Sequence, residues 1–212
     1  RFPYRNGDMK ARGPAEKVIE SLPAGGHPTR DVVFSKDGKS MYVAVGSASN
    51  IDDPDTHPSE FHRAAILEYT PEGKFVDVYA SGIRNPVGLG VHPTTGEVWV
   101  SVNERDNLGD NLVPEYVTSV KKGGFYGWPY FYIGGNPDAR LMGAHPELKA
   151  KVIVPDVLIC SPTELRVPKA LLAVLLLPRR ARSWFRTDRA MLSPCRVPPV
   201  LLVSSYLVLF FR

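Results

Sequence analysis

Residues 30–46 read RDVVFSKDGKSMYVAVG, and residues 88–102 read GLGVHPTTGEVWVSV. In the first stretch an apolar run ends at Phe34, Lys36-Asp37-Gly38 supplies a turn that tolerates positive φ, and Met41 to Val45 resumes the apolar pattern. The second stretch repeats the device. Phe34 corresponds to Val91 and Tyr42 to Trp99, both 57 residues apart, and Gly38 corresponds to Gly96 after a one-residue gap. Between them, Ile66 to Val76 forms a further hairpin with Pro71-Glu72-Gly73-Lys74 at its tip. Hairpins recurring in this way predict propeller blades, whose period is roughly 40–50 residues. An acidic insertion at residues 47–62 accounts for the excess. No long helical period precedes residue 140, so the expected fold is all-β.

Composition divides the chain in two. The 212 residues carry a formal net charge of +4, but nine of the 26 basic side chains and only two of the 22 acidic ones fall in residues 158–212. That segment therefore holds +7 and residues 1–157 hold −3, so the basicity is no signal for nucleic acid or membrane. All 18 glycines lie between Gly7 and Gly143, and both cysteines, Cys160 and Cys195, lie in the last quarter. Residues 171–177 and 200–211 are apolar runs without strand alternation, each shorter than the roughly 18 residues a bilayer span needs. Residues 1–157 are expected to form one domain. Residues 158–212 are expected to be an aberrant basic and apolar tail, unstructured or translated in a wrong reading frame, with a basic membrane-associating C-terminus as the alternative. The chain opens on Arg1-Phe2-Pro3-Tyr4 without an initiator Met, so a missing N-terminal part is expected and the lack of a visible signal peptide decides nothing.

Three segments could carry chemistry. In Gly25-Gly26-His27-Pro28-Thr29-Arg30, two glycines allow close backbone approach and Pro28 restrains His27 to an extended conformation. A loop histidine held this way could act as a general base, or simply bond a neighbouring backbone group. Arg84-Asn85-Pro86 offers planar, multi-donor recognition of a carboxylate or quinone oxygen; the alternative is an arginine that bridges adjacent blades. Asn103-Glu104-Arg105-Asp106-Asn107-Leu108-Gly109-Asp110-Asn111 is dense in oxygen ligands suited to Ca²⁺ but lacks the EF-hand pattern, and a solvated acidic loop is its alternative. Residues 52–62, with Asp52, Asp53, Asp55, His57, Glu60 and His62, have metal-compatible side chains but read as a solvated loop. The aromatic cluster from Phe125 to Tyr132 suits either a sugar or quinone site or packing between blades.

Taken in order, the stretches GGHPTRDVVFSKDGKSMYVAVGSASN, ILEYTPEGKFVDVYASGIRNPVGL, GEVWVSVNERDNLGDNLVPEYV and KKGGFYGWP resemble the soluble pyrroloquinoline-quinone (PQQ) glucose and sorbosone dehydrogenases, with the sorbosone dehydrogenase-like branch nearest. The resemblance runs to Asp156-Val157. It implies a six-bladed β-propeller, of which about three blades are present, with PQQ over the central channel and Ca²⁺ beside it. It implies oxidation of a sugar or sugar aldehyde by hydride transfer to the quinone, in a periplasmic or secreted enzyme. His27 would be the base, Arg84 would stabilise developing negative charge, and Arg84 with Asn85 would contact the cofactor. Carbonyls at Arg105-Asp106 would hold the catalytic Ca²⁺, where the family commonly has Gly-Pro. Asp110 and Tyr126 would hold a structural Ca²⁺, with Asn111 standing where Glu is common. The upstream blades and the family's downstream basic clamp are missing, which leaves open sheet edges and room for an inactive piece. The competing class is a non-catalytic propeller that binds partners, like NHL and SMP-type repeats.

Overall fold

The computed structural model describes residues 1–109 and 112–159. Its strands fall in chain order into two four-stranded antiparallel units. The first contains β1 (Val32–Phe34), β2 (Met41–Val45), β3 (Ala65–Tyr69) and β4 (Phe75–Ser81). The second contains β5 (Asn85–Val91), β6 (Val98–Asn103) and β7 (Glu115–Val120), and is closed by the last strand below. Three two-residue strands follow: β8 (Gly124–Phe125), β9 (Phe131–Tyr132) and β10 (Asn136–Pro137). β8 adds to β4 in parallel and β9 pairs with β10, while β11 (Val157–Ile159) returns to pair with β7.

This is part of a β-propeller. The two hairpins superimpose in register as well as in sequence. Val33 stands opposite Tyr42 and Tyr42 opposite Glu68, just as Gly90 stands opposite Trp99 and Trp99 opposite Ser119. The turns close as their residues dictate. Gly38 at φ +72° and Gly96 at φ +77° donate back to the Ser35 and His92 carbonyls at 2.8 Å. The described residues make two blades and a short ribbon, where about three blades were expected. β11 carries the second blade to Ile159, two residues past the boundary read from composition. The rest of the 158–212 segment lies outside the described residues. No helix among the described residues is long and apolar enough to cross a membrane.

Alternation along the strands builds two cores. Tyr42, Ala44 and Ile66 of blade 1 face Leu89, Val98, Val100, Val102, Tyr116 and Val120 of blade 2, forming the inter-blade core. On the opposite face of blade 1, Met41, Val43, Val45, Ala65 and Leu67 are covered by Val18, Ile19 and Leu22. The N-terminal segment runs so close there that a Cβ on Gly73 would lie 1.9 Å from the Val18 carbonyl oxygen. Asp31, just before β1, ties the blades directly by accepting the Leu89 N–H at 2.8 Å.

The inter-blade core sets a stability prediction. Ile66 is fully buried and Val76 half-exposed. Ile66→Ala should cost about 2–5 kcal/mol, and Val76→Ala about 0.5 kcal/mol or less. Urea midpoints of the two variants measure the difference, and equal midpoints would contradict this packing.

Candidate functional site

The site grows from the point where the β2–β3 connection of blade 1 meets the start of blade 2. After β2 the chain passes Gly46 and Ser47, and the Ser47 N–H donates to the Arg84 carbonyl at 2.8 Å. Ser47 is wholly buried. Its carbonyl accepts the His27 N–H at 3.0 Å, so one residue anchors both the histidine loop and the start of β5. Gly26 makes the approach possible, since a Cβ there would sit 2.4 Å from Ala48 Cα at a φ of +58°. Arg63 secures the loop from behind. Its guanidinium donates to the carbonyls of Ala24 (2.9 Å), Gly25 (2.5 Å), Gly46 (3.0 Å) and Ser47 (3.2 Å).

The hydrogen bonds of His27 define its tautomer. Nδ1 lies 2.9 Å from the Ser47 carbonyl oxygen and 3.0 Å from Ser47 Oγ. The Ser47 hydroxyl proton is already donated to the Ser49 carbonyl at 2.6 Å, so Oγ faces His27 as an acceptor. With acceptors on both sides, Nδ1 carries the proton and Nε2 carries the lone pair. Burial, and next the positive charge of Arg84, lower the pKa of the ring below its ordinary 6.5. His27 is therefore a neutral imidazole at neutral pH.

Arg84 laces three segments together. Nε and Nη2 donate to the Asn50 carbonyl (3.2 Å) and to Asn50 Oδ1 (2.8 Å), Nη1 to the Glu104 carbonyl, and Nη2 also to Asp106 Oδ2 (3.0 Å). The guanidinium is buried while the Asp106 carboxylate is mostly exposed, so the carbonyl bonds contribute more than the ion pair. Asn85 differs: its Oδ1 is buried and has no hydrogen-bond partner among the described residues. It lies against Gly46, where a Cβ would stand 2.5 Å from Asn85 Oδ1 and 2.7 Å from His27 Cβ.

The loop after β6 lies beneath Arg84. Arg105 is anchored by a buried two-point ion pair with Asp138, whose second contact, Nη2 to Oδ1, measures 3.1 Å. The Asp106 carbonyl accepts from Asn50 Nδ2 (3.2 Å) and from the Arg105 guanidinium. Tyr126 belongs to the inter-blade core: its hydroxyl donates to the Ser119 carbonyl at 2.8 Å, and its N–H donates to the Ser81 carbonyl at 3.0 Å. Among the described residues no hydrogen bond joins Tyr126 to Arg105 or Asp106, and Asp110 lies outside the described residues. The structure thus gathers His27, Arg84, Asn85, Arg105 and Asp106 into one network and leaves Tyr126 apart. Ser47, Asn50, Arg63 and Asp138 complete that network without having been singled out by sequence. Their only local signal was position, with Ser47 and Asn50 in the SASN run straight after β2.

One buried carboxyl, Glu104, and one partly buried, Glu115, flank the loop. Burial holds Glu104 at a pKa of about 7 and Glu115 at about 8, the latter also raised by Glu104. Two predictions follow from this geometry. Gly46→Ala should cost about 1–3 kcal/mol by driving a methyl between Asn85 and His27, checked by thermal unfolding. The folded chain keeps the Glu115 proton to about pH 8, whereas unfolded chains release it near 4.5. The folded state binds the extra proton, so this group's contribution to stability falls as pH rises through that window. Glu115→Gln should flatten the decline in melting temperature between those pH values relative to the parent.

With the site's geometry established, comparison with known proteins narrows its identity. A protein of Borreliella burgdorferi known only as uncharacterized is 31% identical over 109 residues, covering 50% of this chain and 27% of that protein. The iodide structure of the Trichoderma reesei carbohydrate-active enzyme of family AA12 aligns with a TM-score of 0.57 at 20% identity, over 66% of this chain and 45% of that one. Its calcium structure aligns at 0.55, with the same identity and coverage. At that identity the likeness establishes the propeller fold. The chain spans less than half the length of each of these relatives. Residues 1–130 match the family model described as TrAA12-like, and the chain belongs to that family.

Proposed function

We propose that this chain carries the base-bearing part of a PQQ-dependent sugar oxidoreductase, with His27 accepting the hydroxyl proton of a sugar or sugar aldehyde hydrate. The observation behind this reading is the fixed tautomer of His27, a neutral half-buried imidazole with its lone pair on Nε2 and no hydrogen bond from Nε2 to a described residue. The resemblance in the ordered motifs supplies the cofactor. When bound, PQQ provides an ortho-quinone that accepts hydride.

The residues present suit that cofactor in two respects. Asn85 Oδ1 is a buried acceptor without a partner among the described residues, ready for an N–H or O–H donor from cofactor or substrate. Arg84 brings a buried positive charge close enough to His27 to affect its titration, the kind of field that favours an alkoxide or a reduced quinone oxygen. As His27 takes a proton on Nε2, its Nδ1–H bonds to Ser47 strengthen and stabilise the imidazolium. Calcium fits less well at the expected place. The Asp106 carbonyl already accepts two donors, from Asn50 and Arg105, so the ion is given no part in the proton step.

The test is titration with PQQ in the presence of Ca²⁺, followed by sugar-dependent reduction of a dye acceptor. His27→Ala should retain PQQ binding and lose about 10²–10⁴ in turnover. Asn85→Ala should weaken PQQ binding itself. Parental turnover in the His27→Ala protein would remove the histidine from its role. Absence of any PQQ binding would favour a propeller that only binds partners.

A further inference from the structure

Away from the His27 network, two connections meet at a second cluster. The β2–β3 connection supplies Asp53 and Asp55, and the connection between β10 and β11 supplies His145. One carboxylate oxygen of each aspartate and one imidazole nitrogen all lie within 4.8 Å of one another. His145 Nε2 lies 2.9 Å from Asp55 Oδ2. Asp53 Oδ1 is held in place by the Asp55 N–H (2.9 Å) and the Tyr130 hydroxyl (2.8 Å). The Tyr130 ring also rests on the His145 imidazole, with centroids 4.4 Å apart. Beside the cluster opens a cavity of about 320 Å³ lined by Asp55, His145, Tyr130, Trp128, Arg63 and Glu60.

We propose that Asp53, Asp55 and His145 form a binding site for a divalent transition-metal ion of the Zn²⁺ class, which clips the β2–β3 connection of blade 1 to the β10–β11 connection of blade 2. Three features support it. Two carboxylates and an imidazole are a ligand set for zinc-like ions, whereas Ca²⁺ and Mg²⁺ favour oxygen ligands alone. In tetrahedral coordination with bonds of about 2.0–2.2 Å, ligand atoms stand roughly 3.3–3.6 Å apart, so the 2.9 Å His145–Asp55 pair must open slightly and no other pair need close from beyond 4.8 Å. The far side of the imidazole already has its supporting partner, since Nδ1 lies 2.9 Å from Glu147 Oε1. A carboxylate behind a ligating histidine orients the ring and raises its basicity.

Binding exchanges the proton now shared between His145 Nε2 and Asp55 for the metal, and the proton passes to solvent. Three protein ligands leave a coordination position open toward the cavity, available to water or to an oxygen-bearing ligand. The consequence for the fold is local. The clipped β2–β3 connection also carries Ser47 and Asn50, which hold His27 and Arg84. The proposal stands apart from the quinone reading, because it uses none of the residues assigned to that chemistry.

The experiment is calorimetric titration of the full 212-residue chain, stripped by chelator, with Zn²⁺ and separately with Ca²⁺, alongside ligand-field spectra of the Co²⁺ form. The expected result is one site that prefers Zn²⁺ to Ca²⁺. Asp55→Asn and His145→Gln should each weaken it at least about tenfold, and Glu147→Gln about 10–100-fold. His57→Gln, in the same connection but outside the trio, should leave it unchanged. Circular dichroism checks that each variant folds, and Glu147→Gln serves if His145→Gln does not. Zinc held by the thiols of Cys160 or Cys195 would survive all of these substitutions. That result, an equal preference for Ca²⁺, or no saturable site at all would overturn the proposal.

Discussion

Everything assembled around His27 depends on a single backbone hydrogen bond, from Ser47 N–H to the Arg84 carbonyl. It joins the β2–β3 connection of blade 1 to the residue that enters blade 2. Ser47 has no exposed surface, so its amide would be an unpaired buried donor without that bond, at a cost of about 1–3 kcal/mol. The same residue offers its carbonyl and hydroxyl oxygens to the imidazole. Blade-to-blade contact, loop position and histidine tautomer are thus set by one side chain and its two flanking peptide groups. Substitutions at Ser47 and at its neighbours are therefore expected to be strongly non-additive.

The charges around this hub are arranged to keep it dry but not neutral. Arg63 and Arg84 are both buried, yet neither forms a buried ion pair as its main support. Arg63 donates to four backbone carbonyls, and Arg84 to backbone carbonyls and two side-chain oxygens, which suits a planar guanidinium with five N–H groups. The exception is Arg105, whose partner Asp138 is as buried as itself. Removing either member of that pair would leave an uncompensated charge inside the protein, whereas removing Asp106 would expose little. The two carboxylates flanking Arg105 in space and sequence are therefore not interchangeable.

The sequence showed most of the fold because its signals are local. Gly38 and Gly96 lie at the tips of their own hairpins, and the alternation at Met41 to Val45 can be read without knowing what it packs against. Even the 57-residue offset between Tyr42 and Trp99 survives as an equivalence of register. The blade count was less legible, since β8, β9 and β10 are only two residues long and carry no periodicity. The composition break falls within β11, the last described strand, because glycine loss marks the end of tight turns rather than the end of strand pairing. In the candidate site, His27, Arg84 and Asn85 were visible through their fixed neighbours Pro28 and Pro86. Arg63 and Asp138 were not, because an arginine that bonds carbonyls 38 and 39 residues away looks the same in sequence as one on the surface.

Arg84 also bears on how the chain reaches its final state. Its guanidinium closes contacts across 34, 20 and 22 residues at once, to Asn50, Glu104 and Asp106. The contacts to Glu104 and Asp106 close across the β5–β6 hairpin, but the contact to Asn50 needs both blades, and such a long closure has an entropic cost that local hairpins avoid. The hairpins can therefore form early, while the surroundings of His27 wait for the blades to dock. A partly docked intermediate would have native strand content but a freely rotating imidazole. In this molecule, the fixed surroundings of His27 become a readout of completed inter-blade assembly rather than of folding in general.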